Sequence, residues 1–489
     1  METFADLQRF FTEKNYRLIL VADGEPVVNV TKKDKIVQQI SPGGVSIVLE
    51  PIARASRGTY IARAKTAEDK TNLDKYGKTL IKNAEDSYTL KRLFFSPEDF
   101  DNYYNGFANQ TLWPLCHVAF EKPRFHNHWY DGYKKVNKKF ASAIEDEIKG
   151  KTFIWIHDYH LPLVPKYLGH PKNSIVAFFW HTPCPTWEVF RILPQKKEIL
   201  ESLLSCDFIA FHRGYHMRNF FMTVGRELEA RIDRETNRIY YGNHQTTVMN
   251  LPLGIDTETI KSLVEMHEKK VYLQKLVPQV ASYQVLLGVD RLDYTKGLPN
   301  RLWAIDAFFQ KYPHYIGKVI YLSLLSPSRE KIPSYQQLKK EVVRLRDEIN
   351  QRYATATWQP VHLLFMKFSR KDIVNFFREA DVCLVTPLDD GMNLVSKEFV
   401  MGSSLSQNPG MLVLSQFAGS AIDLTEALIV NPYNTFEVAD AIKKALEMPP
   451  KEKQKRISSM AATLQERNVY QWAKDFLRSA EGAVINKKS

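Results

Sequence analysis

Short apolar runs recur along the chain from residue 16 to about residue 450, separated by stretches long enough for amphipathic helices. Runs of this length, bounded by Gly, Pro and charged residues, predict buried strands. In the first half they are Arg17–Val21, Thr59–Ala62, Thr152–Ile156, Ile175–Phe179, Phe208–Phe211 and Thr246–Met249. The second half supplies Val285–Gly288, Val319–Leu322, Val361–Phe365, Val382–Val385, Met411–Leu414 and Leu428–Val430. Alternating strands and helices predict an α/β protein with two doubly wound sheets of about six strands each. Pro252 and Gly254, in Leu251–Asp256, punctuate the chain between the two series and mark a hinge. The expected organisation is a first Rossmann-like domain over 1–252, a second over 253–466 and a terminal helical segment over 467–489. Within that segment Val469–Ala480 places Trp472, Phe476 and Leu477 at helical spacing.

Two polar segments follow strand candidates of the second half: Gly288–Gly297, reading GVDRLDYTKG, and Asp389–Glu398, reading DDGMNLVSKE. In an open α/β sheet, loops at the carboxyl ends of strands face the ligand. Arg291 and Lys296, separated by four residues of loop, suit the oxygens of one diphosphate. The backbone N–H groups from Gly391 and Met392 through Asn393, Leu394 and Val395 begin a helix and suit the same anion. Asp390 and Glu398 would then accept hydroxyls. A structural reading, in which Arg291 and Lys296 pair with Asp290 and Asp293 and the acids cap a helix, competes on composition alone.

Composition narrows the remaining classes. With 489 residues, 44% hydrophobic and 25% charged, the chain suits two globular domains. Its longest apolar stretches, such as Ile175–Trp180, fall well short of the ~20 residues a membrane helix needs. The N-terminus lacks a basic region followed by an apolar one, so a cytoplasmic location is expected. Cys116, Cys184, Cys206 and Cys383 have no C-x-x-C spacing and read as buried thiols. The net charge of +12 is dispersed, and its clusters at Thr31–Lys35 and Lys451–Arg456 are interrupted by acids. That pattern suits a solvated surface and small anionic substrates rather than nucleic acid. His157-Asp-Tyr-His160 has two histidines at i and i+3 but no third ligand nearby, so neither a metal nor a cofactor is expected.

From about Leu18 to about Phe476, the chain resembles the trehalose-6-phosphate synthase family of retaining glycosyltransferases. Arg-Leu-Asp-Tyr-Thr-Lys-Gly followed by Asp-Gly-Met-Asn-Leu-Val-Ser-Lys-Glu carries most of the resemblance. It implies the GT-B fold, two Rossmann-like domains facing across a ligand cleft, with the terminal helix crossing back to the first domain. It further implies that Arg291 and Lys296 stabilise the departing diphosphate, Arg329 lines the same site, Asp390 binds the donor hexose and Glu398 the ribose. Of the Gly43-Gly44 pair, Gly44 would close over the donor phosphates. His181 would lie against the transferred sugar, Asp158 beside the acceptor hydroxyl, and Tyr104 and Trp113 would wall the acceptor pocket. Front-face displacement, in which the departing phosphate takes the acceptor proton, needs no enzymic nucleophile. The expected partners are a nucleotide sugar, with UDP-glucose first, a sugar or polyol phosphate, and a second copy of the chain.

Three departures fall in the acceptor half. Gly24, in Ala22-Asp-Gly24, stands where the family has a phosphate-gripping arginine, and Asn127 stands where it has a second. Tyr60-Ile-Ala-Arg63 replaces a Trp-x-Gly-Trp segment. Losing two charge-assisted contacts weakens phosphate binding by ~1.5–3 kcal/mol each. Either Arg63, Arg124, His126 or His128 supplies relocated cations, or the acceptor is not glucose 6-phosphate. Glucosylglycerol-phosphate synthase and cyclitol-coupling pseudo-glycosyltransferases are the rival enzymes. A catalytically silent sugar-nucleotide sensor is the rival of another class.

Overall fold

The computed structural model describes residues 2–32, 35–41, 44–83, 86–266 and 270–485. Gly43 of the glycine pair, and Lys33 and Asp34 of the first basic cluster, lie outside the described residues. Contacts divide the chain into two units, Met1–Gly254 with Val469–Ser489, and Ile255–Asn468.

In the first unit the strands are β1 (Arg17–Gly24), β2 (Val27–Lys32), β3 (Lys35–Ile40), β4 (Thr59–Arg63), β5 (Lys78–Asn83) and β6 (Asp86–Leu93). They continue as β7 (Thr152–His157), β8 (Ser174–Trp180), β9 (Phe208–Phe211), β10 (Arg231–Asp233), β11 (Arg238–Tyr241) and β12 (His244–Asn250). Ten of them form one sheet in the order β10-β11-β12-β9-β8-β7-β1-β4-β6-β5, while β2 and β3 pair as a separate hairpin. The sheet is therefore larger than the six strands expected. Its parallel centre runs from β12 to β6, of which β6 is unexpected, and the further unexpected strands β10, β11 and β5 add antiparallel edges. Central strands are apolar on both faces, as parallel sheets require, and β7 and β9 are buried throughout.

From β1 the chain winds outward to β4 and β6, then resumes on the other side at β7. The sheet's switch point thus lies between β1 and β7, with Gly24 and His157 at the two carboxyl ends. The terminal helix runs Val469–Ile485, one turn beyond its expected end, and packs on this unit. Phe476 stacks on Trp155 at 4.1 Å, and Trp472 Nε1 donates to the Leu251 carbonyl at 3.2 Å.

The second unit holds β13 (Gln284–Arg291), β14 (Val319–Ser326), β15 (Val361–Leu364), β16 (Val382–Val385), β17 (Met411–Ser415) and β18 (Leu428–Val430). All pair parallel in the order β15-β14-β13-β16-β17-β18. Renumbered from one, this is the 3-2-1-4-5-6 winding that binds nucleotides at its reversal. That reversal falls between β13 and β16. Leu286, Leu322, Phe308, Val400 and Val413 are fully buried in the core beneath it. Among the described residues, no helix is long and apolar enough to cross a membrane.

Candidate active site

Both polar segments singled out in the sequence land on the second unit's switch point. Arg291 ends β13, and a single 3-10 turn, Tyr294–Lys296, brings Lys296 back toward the loop after β16. There Lys296 Nζ meets Asp390 Oδ2 at 2.5 Å. The same carboxylate accepts from the Met392 amide at 3.2 Å and from Asn393 Nδ2 at 3.1 Å. Asn393, at φ 68°, caps the helix Leu394–Ser403 by accepting from the Ser396 amide at 3.0 Å. The first-turn amides of Leu394 and Val395 have no intrahelical acceptor, which leaves a positive dipole end beside Lys296. Glu398 lies on the second turn of this helix, 3.3 Å from Arg370.

Two glycines let the loops meet. Gly297 has φ +63°, and a Cβ there would stand 2.6 Å from the Thr386 carbonyl; one on Gly419 would stand 2.0 Å from the Gly391 carbonyl. The Leu388 amide donates to the Thr295 carbonyl at 2.8 Å, joining the loop after β13 to the loop after β16. Arg301, fully buried, binds Asp290 at 2.6 Å, Thr386 Oγ1 at 2.8 Å and the Lys296 carbonyl at 3.3 Å. It ties together both strand ends that present the site. Asp290 therefore serves Arg301, while the structural pairing weighed from the sequence is formed in part, between Arg291 and Asp293.

Asp293 is the electrostatic centre of the loop. Burial alone would raise its pKa, but Arg329, Arg291 and Lys296 outweigh that and hold it at about 2. Arg329 reaches it at 3.1 Å, Arg291 at 3.7 Å, and the Tyr335 hydroxyl donates to it at 3.2 Å. Arg291 keeps 44% of its side chain exposed and is the most exposed cation of the set, against 14% for Lys296 and 3% for Arg329. Sequence reasoning missed Arg301, Asp293 and Arg370 as site-builders. Arg301 and Arg370 lie outside both motifs, while Asp293 lay inside one and was weighed only as a neutralising partner.

In the first unit, Asp158 and His181 follow the adjacent strands β7 and β8, and Tyr104 and Trp113 pack against residues just after β7. Asp158 follows β7 with φ 73°, and its Oδ1 accepts the His181 amide at 3.2 Å. Left-handed backbone is uncommon outside glycine, and Asp158, Arg329 and Asn393 all adopt it. His181 Nε2 and His157 Nδ1 lie 3.0 Å apart. Burial lowers both imidazole pKa values, that of His181 to about 3, so both rings are neutral. Tyr104 stacks on His160 at 5.6 Å and on Phe100 at 5.1 Å, and Trp113 packs on Tyr159 at 5.4 Å. Gly44 opens the helix Gly44–Ser56 rather than sitting in a loop.

Arg63 is not the free cation that a relocated phosphate site would use. Its guanidinium grips both oxygens of buried Asp23, at 3.0 and 3.1 Å, and lies over Phe100 and Tyr104. Asp23 also accepts the Tyr103 hydroxyl at 3.0 Å. Arg124 stands exposed, its amide bonded to the Gln110 carbonyl and Glu121 its charged neighbour. His126 and His128 are exposed, with ring centroids 5.5 Å apart. The cation beside Gly24 is instead Lys65, whose Nζ lies 3.6 Å from where a Gly24 Cβ would stand. Lys65 Nζ donates to Ser41 Oγ and, at 3.4 Å, to the Glu25 carbonyl. It lies two residues beyond Arg63, in a segment where the sequence shows no family motif.

The glycosyltransferase family 20 model matches residues 16–482. The chain belongs to glycosyltransferase family 20. Within family 20, it is 36% identical over 407 residues to the UDP-forming α,α-trehalose-phosphate synthase of Pichia angusta, covering 82% of this chain and 85% of the relative. It is 33% identical over 482 residues to the trehalose-6-phosphate synthase of Mycolicibacterium gilvum, covering 96% and 95%. Solved structures agree with the GT-B fold. One, described as trehalose-6-phosphate from E. coli bound with UDP-2-fluoro glucose, matches with TM-score 0.82 at 31% identity over 95% of this chain and 98% of that one. A UDP-forming synthase from Burkholderia xenovorans in complex with glucose-6-phosphate matches with TM-score 0.83 at 29% identity, over 95% and 100%. Among the described residues of this family 20 chain, no group of three or more His, Cys, Asp or Glu is arranged to hold a metal ion.

Proposed function

We propose that the chain is a retaining, UDP-glucose-dependent glycosyltransferase of the trehalose-6-phosphate synthase type, which transfers glucose to a small phosphorylated acceptor. The observation that carries this reading is the convergence of Arg291, Lys296, Asp390 and the start of the helix Leu394–Ser403 on one switch point. As the anomeric bond breaks, charge grows on the diphosphate. Fixed cations and amides there stabilise the transition state more than the ground state. Asp390 binds the hexose hydroxyls, and Glu398, oriented by Arg370, takes the ribose. His181 lies against the hexose, and Asp158 beside the attacking hydroxyl. The acceptor hydroxyl bonds to the anomeric carbon on the face from which the diphosphate departs, which keeps the anomeric configuration, and the departing phosphate accepts its proton.

The likeness to a synthase in complex with glucose-6-phosphate supports an anionic acceptor. Lys65, which lies beside Gly24 with Ser41 and Ser46, would receive its phosphate. A second reading, transfer to glycerol 3-phosphate or another polyol phosphate, has support of its own. Asp23 and Arg63 neutralise each other here, and the polar surface at β1 and β4 differs from the family pattern.

Incubation of the protein with UDP-, ADP- and GDP-glucose against glucose 6-phosphate, glycerol 3-phosphate and their uncharged parents decides between them by mass spectrometry. The expected outcome is transfer from UDP-glucose to a phosphorylated acceptor. Transfer only to uncharged acceptors would refute the anionic pocket. Calorimetric UDP binding without turnover on any acceptor would favour the sensor.

A further inference from the structure

We propose that His157 is a positioning residue that fixes the tautomer of His181, so that His181 offers its Nδ1–H as a donor to the transferred hexose. This rests on the functional reading above for the identity of the ligand.

The argument begins with one short contact. His157 Nδ1 and His181 Nε2 are 3.0 Å apart, so one nitrogen must carry the proton and the other the lone pair. The remaining nitrogens, His157 Nε2 and His181 Nδ1, are buried without a hydrogen-bond partner. Both rings are neutral, so each has one N–H only. If His181 Nε2 donates, the second proton sits on His157 Nε2, on a ring with 0% exposure, where an N–H stays unsatisfied permanently. If His157 Nδ1 donates, the unsatisfied N–H is instead the one on His181 Nδ1, an atom that is itself buried but belongs to a residue with 8% exposure just after β8. A ligand oxygen satisfies it there. The second arrangement is the one the burial favours, because an orphaned lone pair costs less than an orphaned N–H.

The neighbours hold this geometry. Asp158 binds the His181 amide, and the Phe179, His212 and Trp472 rings pack at 4.5, 5.2 and 6.4 Å from the His181 ring. A sugar hydroxyl both donates and accepts. A fixed N–H makes it accept at that point and donate elsewhere, which orients the hexose.

The test uses the full chain with 15N-labelled histidine, whose long-range proton–nitrogen correlations separate protonated from lone-pair nitrogens. His181 is assigned as the signal absent from His181→Gln. The expected result is a proton on Nδ1 of His181 whose resonance shifts on adding UDP-glucose. A proton on Nε2 overturns the proposal, and so does an Nδ1 proton that UDP-glucose leaves unmoved while transfer proceeds. His157→Leu should give mixed His181 tautomers and lower kcat by about 10-fold with little change in KM, the effect of one neutral hydrogen bond. His157→Asn, whose amide nitrogen donates from the place of Nδ1, should recover most of the loss. A leucine variant with the wild-type tautomer and wild-type kcat also overturns it. Should the leucine variant fail to fold, the wild-type tautomer still decides. A wild-type protein that transfers no hexose would sink the functional reading, with the tautomer still measurable.

Discussion

At the residue scale, the site divides into groups that hold the loops and groups left open for a ligand. Asp293 belongs to the first kind. Its pKa is depressed from 3.8 to about 2, so its contribution to stability is fully present above about pH 4 and is lost as pH falls through about 2. Asp293→Asn removes the carboxylate that faces Arg329, whose side chain keeps 3% exposure. The variant should lose about 3 kcal/mol or more at neutral pH, a fall of about 6 °C or more in Tm, and the gap to wild type should narrow toward pH 2. Differential scanning calorimetry across pH checks both. Arg291 belongs to the second kind. Arg291→Ala should change stability by no more than the ~0.5 kcal/mol typical of surface changes, leaving Tm nearly unchanged, and lower kcat about 100-fold or more. Near-normal turnover with unchanged Tm would remove Arg291 from the chemistry. The open residues were legible in the sequence because they lie in two dense motifs. Arg301 and Arg370 were not, because each reaches the site from a helix whose sequence carries only helical periodicity.

At the element scale, each unit's switch point gathers residues that lie far apart in sequence. The strands around them were readable as apolar runs, since a parallel sheet covered on both faces requires them. The hairpin β2–β3, the neighbouring strands β5 and β6 and the pair β10–β11 were not. Their apolar residues are interleaved with polar ones, so none carries more than three apolar residues in a row. The loop after β16 depends on a backbone approach that tolerates no side chain. Gly419→Ala would place a methyl 2.0 Å from the Gly391 carbonyl and push Asp390 away from Lys296. Binding of UDP by isothermal titration calorimetry should weaken by about 10-fold or more, the loss of one or two charge-assisted hydrogen bonds. Unchanged affinity would show that this loop does not hold the nucleotide.

At the scale of the whole molecule, the terminal helix completes the first unit. Phe476 is fully buried against Trp155, Phe208 and Phe153. Phe476→Ala should cost about 3–5 kcal/mol, read as a lowered Tm. The fold and the donor side were legible because a long joint motif and a regular winding coincide. The acceptor side was less so. Gly24 and Arg63 break the family pattern, and only the structure shows Asp23 neutralising Arg63 and Lys65 standing beside Gly24. The central claim is that a diphosphate departs from between Arg291, Lys296 and the helix start while its hexose passes to an anionic acceptor. The most direct measurement is UDP release from UDP-glucose with and without glucose 6-phosphate, with the product's anomeric configuration determined by NMR. The account predicts acceptor-dependent UDP release and an α-linked product. An inverted product, or no acceptor-dependent release with any sugar or polyol phosphate, would contradict it.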